Sequence, residues 1–158
     1  MIFNYKSQDT LSHLSLHDCV IHHVEWMDTS LVFHMDWVDV LKTHPLNTTG
    51  KAKIAINAVL IFEGARVITS FYYDLTKAKE EGKKINKKVY RLPDDAEMVN
   101  TNIIDRCEDV EIYQDEESIE EGERMWTCSC QDDSEYKITF STMYVCFNDL
   151  IKDSWFEK

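Results

Sequence analysis

The chain is poor in the residues that interrupt regular structure, since its 158 residues include 4 glycines and 2 prolines. This composition is unlike that of collagen-like, low-complexity or linker-rich sequences. No run of about 18 apolar residues occurs, so neither a membrane-spanning helix nor a membrane partner is expected. The first residues lack a basic segment followed by an apolar one, so the sequence does not predict a secretory signal.

Positive charge is scarce in the second part of the chain. Residues 1–91 contain 12 Lys and Arg against 10 Asp and Glu, whereas residues 92–158 contain 5 against 19, and the formal net charge is −12. Nucleic-acid binding requires clustered cations, so a nucleic acid is not expected as a partner. The acidic part favours solubility and attraction to a basic protein.

The chain has five cysteines, an odd number without a secretory signal, which predicts reduced thiols and a cytoplasmic location. Cys128 and Cys130 are one residue apart, so both thiols lie on one face of a strand, where we expect them to pack as small apolar groups. The sequence contains no GxSxG, P-loop or GxGxxG motif. We therefore predict no catalytic residue and no cofactor.

The clearest pattern is the alternation between Asp18 and Val38, which predicts two strands joined by a tight turn at residues 28–30. A connection of two or four residues keeps the apolar faces of both strands on one side, whereas three residues would mix them. His22 lies on the apolar face and is interpreted as a core histidine. The inward residues are predicted to be Val20, His22, Val24 and Trp26 in the first strand and Leu31, Phe33, Met35 and Trp37 in the second.

Further alternating or β-branched stretches predict strands over residues 51–62, 66–75, 110–113, 124–131, 135–141 and 143–147. The strand over 66–75 is expected to return from a turn at Glu63-Gly64. Helical turns are expected over residues 77–82, 94–105 and 149–155. The predicted fold is mainly β: a single domain over residues 1–158, forming an antiparallel sandwich, roll or partly open barrel with one or two short helices. The inward residues of the first two of these strands are predicted to be Ala52, Ile54, Ile56, Ala58, Leu60 and Phe62, then Val67, Thr69, Phe71, Tyr73 and Leu75.

The outer face of the first hairpin carries His23, Glu25, His34 and Asp36. With a four-residue turn, His23 is opposite Asp36 and Glu25 is opposite His34, within reach of ion pairs that fix the register. Two imidazoles and two carboxylates are also candidate ligands for zinc or a non-haem metal. Alternation alone does not make ligands converge, so ion pairs are expected and no stoichiometric metal is predicted. The preceding His17 and Asp18 are interpreted as a turn in which Asp18 accepts backbone N–H groups.

Residues 105–123 contain ten carboxylates and one arginine. They lack the alternating Asp and Asn pattern of a calcium loop. Two interpretations stay open: a solvated loop, or a strip that binds a basic partner. The basic segment over residues 77–91, in this chain or in a second copy, is an electrostatic counterpart. The candidate partner-binding residues are Asp109, Glu111, Asp115, Glu116, Glu117, Glu120, Glu121 and Glu123.

The order Leu16-His17-Asp18-Cys19, then Ile21 and a hairpin, resembles the opening of small bacterial proteins that begin with Leu-His-Asp-Ser/Cys-x-Ile. The segment over residues 58–67 is similar to the Phe-x-Gly-Val strand turn of that group. Many members are uncharacterised, and some resemble immunity proteins that neighbour polymorphic toxins. The resemblance covers about the first 70 residues and implies a compact, β-rich, cytoplasmic binding protein. It carries over no functional residue, and the acidic part of the chain lies outside it.

Three functional hypotheses follow. The first is a non-enzymatic interaction module, for example of the immunity type, whose acidic surface binds a basic protein. The second is a metal-dependent enzyme that uses the outer face of the first hairpin. The third is a small-molecule binder whose β cavity is lined by Trp26, Trp37, Phe71 and Tyr73, although such aromatic residues commonly belong to a core.

Overall fold

A computed structural model describes residues 2–73, 98–100 and 109–155 of the chain. These residues form one open antiparallel sheet of twelve strands and a single 3-10 turn at Leu11–His13. The mainly β, antiparallel fold class predicted from the sequence is confirmed. The strands are β1 Tyr5–Gln8, β2 Leu14–Ser15, β3 Val20–Met27, β4 Ser30–Val40, β5 Lys53–Glu63, β6 Arg66–Tyr73, β7 Met98–Asn100, β8 Val110–Glu120, β9 Glu123–Cys130, β10 Glu135–Phe140, β11 Thr142–Phe147 and β12 Leu150–Asp153.

The sheet folds back on itself. Its strand order is β1-β11-β5-β4-β3-β8-β9-β10-β6-β7, with β12 beside β5 and β2 beside β4. In a flat sheet, β5 and β10 would lie roughly 24 Å apart, because neighbouring strands are about 4.8 Å apart. The ring centroids of Phe62 on β5 and Phe140 on β10 are nevertheless 5.0 Å apart. Strands β3, β4, β5 and β11 therefore face strands β8, β9 and β10 across one core.

The first hairpin has the predicted apolar pairs. Val24 is opposite Phe33 and Trp26 is opposite Leu31, across a two-residue turn of Asp28 and Thr29. Asp28 has a φ of 53°, which aspartate tolerates better than most residues. Leu31, Phe33 and Met35 are buried in the main core, as predicted.

The predicted position of His22 is wrong. An extra residue in β3, between Ile21 and His23, shifts the register against β4. A β-bulge inserts one residue, so the residues on one side of it point to the face opposite to the one that simple alternation predicts. Ile21 is consequently part of the main core in place of the predicted Val20 and His22, and His22 is exposed.

The inward face of β5 also differs from the prediction. Ala58, Leu60 and Phe62 face the main core, but Ala55 replaces Ile54 and Ile56 there. The backbone of Asn57 has a φ of 51°, a left-handed conformation that breaks the alternation. The partner strand β4 changes sides in step, because Val38 and Val40 join the core after Met35, and Trp37 is only partly buried. Ile54 and Ile56 therefore face outward, which simple alternation does not predict.

Three further expectations are corrected. Strand β6 pairs with β10 and β7 rather than returning along β5, and it buries Ser70 while Thr69 is exposed. The region predicted as a helix over residues 94–105 contains the strand Met98–Asn100, and the predicted terminal helical turn contains the strand Leu150–Asp153. The predicted helical turn over residues 77–82 and Leu75 lie outside the described residues.

The hairpin of β9 and β10 agrees with the sequence prediction. Cys128 and Cys130 are buried with Trp126 on β9, and Tyr136, Ile138 and Phe140 are buried on β10. The four cysteines in the described ranges are free and buried. Burial raises the pKa of the Cys128 thiol well above its ordinary value, so this group remains a protonated, apolar packing residue.

His44 closes the loop between β4 and β5 against strand β1. Its Nδ1 accepts a hydrogen bond from the Leu46 amide at 3.1 Å, so the neutral ring carries its proton on Nε2. Nε2 then donates to Ser7 Oγ at 3.0 Å and cannot accept the serine proton, which excludes a nucleophilic Ser–His pair. Burial, with a smaller contribution from His13, lowers the pKa of His44 to about 4.

We predict that this histidine makes the protein acid-sensitive. The pKa of His44 is about 4 in the fold and 6.5 when unperturbed. Between these values the unfolded chain binds a proton that the folded chain does not, so stability falls as the pH falls. Urea titrations at pH 7 and pH 4.5 should show that the wild type loses about 2 to 3 kcal/mol more than His44→Gln. Equal losses in the two proteins would contradict this role, and His23→Gln is the matched control.

Candidate functional site

The bulge in β3 creates an exposed contact between His22 and two carboxylates. His22 Nδ1 lies 2.7 Å from Asp109 Oδ1, just before β8, and 3.9 Å from Asp36 Oδ1 on β4. The hydrogen bond and charge of Asp109, with a smaller contribution from Asp36, raise the pKa of His22. This contact joins β3 and β4 to Asp109, which belongs to the acidic segment over residues 105–123.

The four predicted residues of the outer hairpin face form only part of the predicted arrangement. His34 Nε2 contacts Glu25 Oε1 at 2.7 Å, but Glu25 is directly opposite Val32 and reaches His34 diagonally. His23 is opposite His34, with ring centroids 5.7 Å apart, rather than opposite Asp36. The predicted pairing of His23 with Asp36 assumed a four-residue turn, whereas the turn has two residues, Asp28 and Thr29.

A cleft of about 320 Å³ lies beside this face and is lined by His22, His34, Asp36, Asn57 and Asn148, among others. The nitrogen atoms of the two histidines point to different carboxylates instead of converging. Within residues 2–73, 98–100 and 109–155, no group of three His, Cys, Asp or Glu side chains is placed to hold a metal ion. His22 and His34 contact carboxylates outside their own strands.

Residues 110–120 of the acidic segment form one long strand, which corrects both the solvated-loop interpretation and the short strand predicted over 110–113. Strand β8 runs from Val110 to Glu120 and contains five carboxylates without a lysine or arginine. A two-residue turn of Glu121 and Gly122, with φ values of 52° and 81°, joins it to β9. Positive φ at both positions is typical of a type I′ hairpin.

Five of the eight candidate partner-binding residues make contacts within the described structure. Asp115 Oδ2 accepts a hydrogen bond from Trp126 Nε1 at 2.9 Å, and burial raises the pKa of this carboxyl. Glu111, Glu116 and Glu121 have no cationic partner among the described residues. The other four contacts are Asp109 with His22, Glu117 with Arg124, Glu120 with Lys137 and Glu123 with Arg66. The basic segment over residues 77–91 lies outside the described ranges.

One side of β8 is an open edge. The strand pairs with β3 only at Val110 and Glu111, and two backbone hydrogen bonds extend this contact to Ile112. From Gln114 to Glu120, β8 pairs with β9 on one side, and no strand in the described part of the chain pairs with the other. Because Glu120 and Glu123 flank a two-residue turn, alternation turns the amides of Asp115, Glu117 and Ile119 away from β9.

The third hypothesis is only partly compatible with the structure. Trp37 lines a pocket of about 410 Å³. Trp26 packs against the main core, and the rings of Phe71 and Tyr73 contact each other edge to face at 6.2 Å. The lining of the Trp37 pocket in the described part of the chain includes neither Trp26 nor Phe71 nor Tyr73.

No protein-family model, curated protein or solved structure matches this chain. No helix in the described ranges is both long enough and apolar enough to cross a membrane.

Arg124 is predicted to be the arginine of this region that stabilises the fold. It is 28% exposed and contacts Glu117 Oε1 and Asp9 Oδ1, each at 2.7 Å, whereas the Arg66–Glu123 pair is 62% and 56% exposed. Arg124→Met should lower the free energy of unfolding by about 2 kcal/mol. Arg66→Met should lower it by less than about 1 kcal/mol. Chemical denaturation measures both, and equal losses would contradict the assignment.

Proposed function

We propose that this protein is a non-enzymatic interaction module that binds a basic partner by strand addition to β8. The observation that carries the proposal is the edge from Gln114 to Glu120, with which no strand among the described residues pairs. Unpaired backbone groups of an edge strand bind an extended segment of another chain through main-chain hydrogen bonds. A seven-residue edge offers more such bonds than the four-residue β1 or the three-residue β7 at the ends of the sheet.

The charge of β8 supports a basic partner. Its five carboxylates would repel a second copy of the same edge, so the strand is protected from pairing with itself. Glu116 is exposed and has no cation beside it in the described structure, and Tyr113 and Ile119 are 53% and 75% exposed. Lysine or arginine side chains flanking an added strand would meet the carboxylates, and the apolar side chains would contact Tyr113 and Ile119.

The immunity type of binding protein, which the resemblance of the first 70 residues implies, belongs to the same functional class. An inhibitor of this kind acts by occupying a surface of another protein and needs no chemistry of its own. A basic segment of the inhibited protein would be the natural occupant of the acidic edge.

We predict that the substitution Ile119→Pro blocks binding. Proline removes the Ile119 amide, which points away from β9, and proline is tolerated on the free side of an edge strand. The control Ile119→Thr keeps the amide. A fluorescently labelled peptide of alternating Lys and Val should bind the wild type and Ile119→Thr, and should bind Ile119→Pro at least about tenfold more weakly, as measured by anisotropy.

The charge dependence is tested with the same peptide. Glu116→Gln should weaken binding about threefold, whereas Asp28→Asn, with the same charge change at a distant turn, should have little effect. Raising the salt concentration should weaken binding, and an alternating Glu and Val peptide should not bind. Equal binding of the basic peptide to Ile119→Pro and Ile119→Thr, or equal binding of the two peptides to the wild type, would contradict the proposal.

A further inference from the structure

A pocket beside Trp37 is lined by residues of β4, β5 and β12. Its volume of about 410 Å³ falls within the range of small-molecule sites. Its apolar walls are formed by Trp37 of β4, Ile54 and Ile56 of β5, Ile151 of β12 and Trp155. Two charged residues, Asp18 and Lys152, complete its lining.

The change of side in β4 and β5 puts these apolar residues outside. Once Ala55 and Val38 face the core, Ile54 and Ile56 face the opposite way, and Trp37 lines the pocket while it also packs against the main core. Ile56, Ile151 and Trp155 are each between 44% and 49% exposed. A cluster of large apolar side chains that remain exposed is unusual in a folded chain and marks a binding surface.

Hydrogen bonds and an ion pair fix the segment that carries Ile151 and Trp155. Ser154 Oγ donates to the buried Asp39 Oδ1 at 2.5 Å, and the Ser154 amide donates to the Ala52 carbonyl at 2.9 Å. Lys53 Nζ contacts Asp153 Oδ1 at 2.6 Å. These contacts hold the two residues that lie between Lys152 and Trp155 along the chain, so the pocket is formed before any ligand arrives.

The two charged residues of the pocket, Asp18 and Lys152, differ in their contacts. The Asp18 carboxylate lies 3.4 Å from His17 Nε2. Lys51 and Lys53 both contact Asp153, but Lys152 has no acidic partner among the described residues. An anionic group on a ligand would therefore complete the pocket, while the tryptophan rings suit a flat apolar body.

We propose that this pocket binds a planar aromatic carboxylate, whose ring contacts Trp37 and Trp155 and whose carboxylate pairs with Lys152. This site is separate from the β8 edge, because none of its lining residues belongs to β8. Its failure would leave the proposed protein interaction unaffected.

The test uses three probes of one shape: 2-naphthoate, 2-naphthamide and 2-naphthylmethylamine. Isothermal titration calorimetry of the full chain should show that naphthoate binds more tightly than the neutral amide, and the amine least tightly. Lys152→Gln should weaken naphthoate binding about fivefold and leave the amide unchanged. Lys137→Gln, on β10, is the matched control and should have no effect.

The tryptophan contribution is tested with Trp155→Ser, which should weaken binding of both naphthoate and naphthamide. Its thermal unfolding shows whether the fold is kept, and Ile151→Ser provides a second variant at an exposed position of the wall. Equal binding of acid and amide, tighter binding of the amine, unchanged binding to Lys152→Gln, or no naphthoate binding at millimolar concentrations would each overturn the proposal.

Discussion

The packing of Trp126 against Phe33 and Phe62 holds the two parts of the sheet together. The Trp126 ring on β9 is edge to face with Phe33 at 5.1 Å and stacked on Phe62 at 5.0 Å. Each such pair contributes about 0.5 to 1.5 kcal/mol beyond the burial of its area. The absence of a side chain at Gly64 lets the turn between β5 and β6 approach Ser141, because a Cβ there would lie 2.6 Å from Ser141 Oγ.

The folding of the sheet has a consequence for β8. The strand starts beside β3 and then follows β9 toward the other side of the core, and after Ile112 no strand among the described residues pairs with its second edge. Asp115 ties this strand to the core through the Trp126 indole. Trp126 thus both packs in the core and holds β8 through Asp115. The acidic edge of β8 is the basis of the proposed interaction.

The sequence predicted the parts of the fold in which apolar and polar residues alternate without interruption. The pairs Val24–Phe33 and Trp26–Leu31 and the buried face of β9 are of this kind. The bulge at His22 and the left-handed conformation of Asn57 change the side to which residues point, but the alternation of apolar and polar residues does not show them. The exposed His22 and the Trp37 pocket were therefore not predictable from the sequence. Strand β8 was missed beyond Tyr113 because carboxylates occupy both of its faces.

Amide hydrogen exchange along β8 tests the central claim, that one edge of this strand is open, most directly. The amides of Glu116 and Ser118, which point to β9, should exchange slowly, and those of Asp115, Glu117 and Ile119 should exchange rapidly. Such an alternation, followed by slower exchange of the second set when a basic peptide is added, is the predicted result. Slow exchange of all five amides in the protein alone would show that another strand covers the edge and would contradict the account.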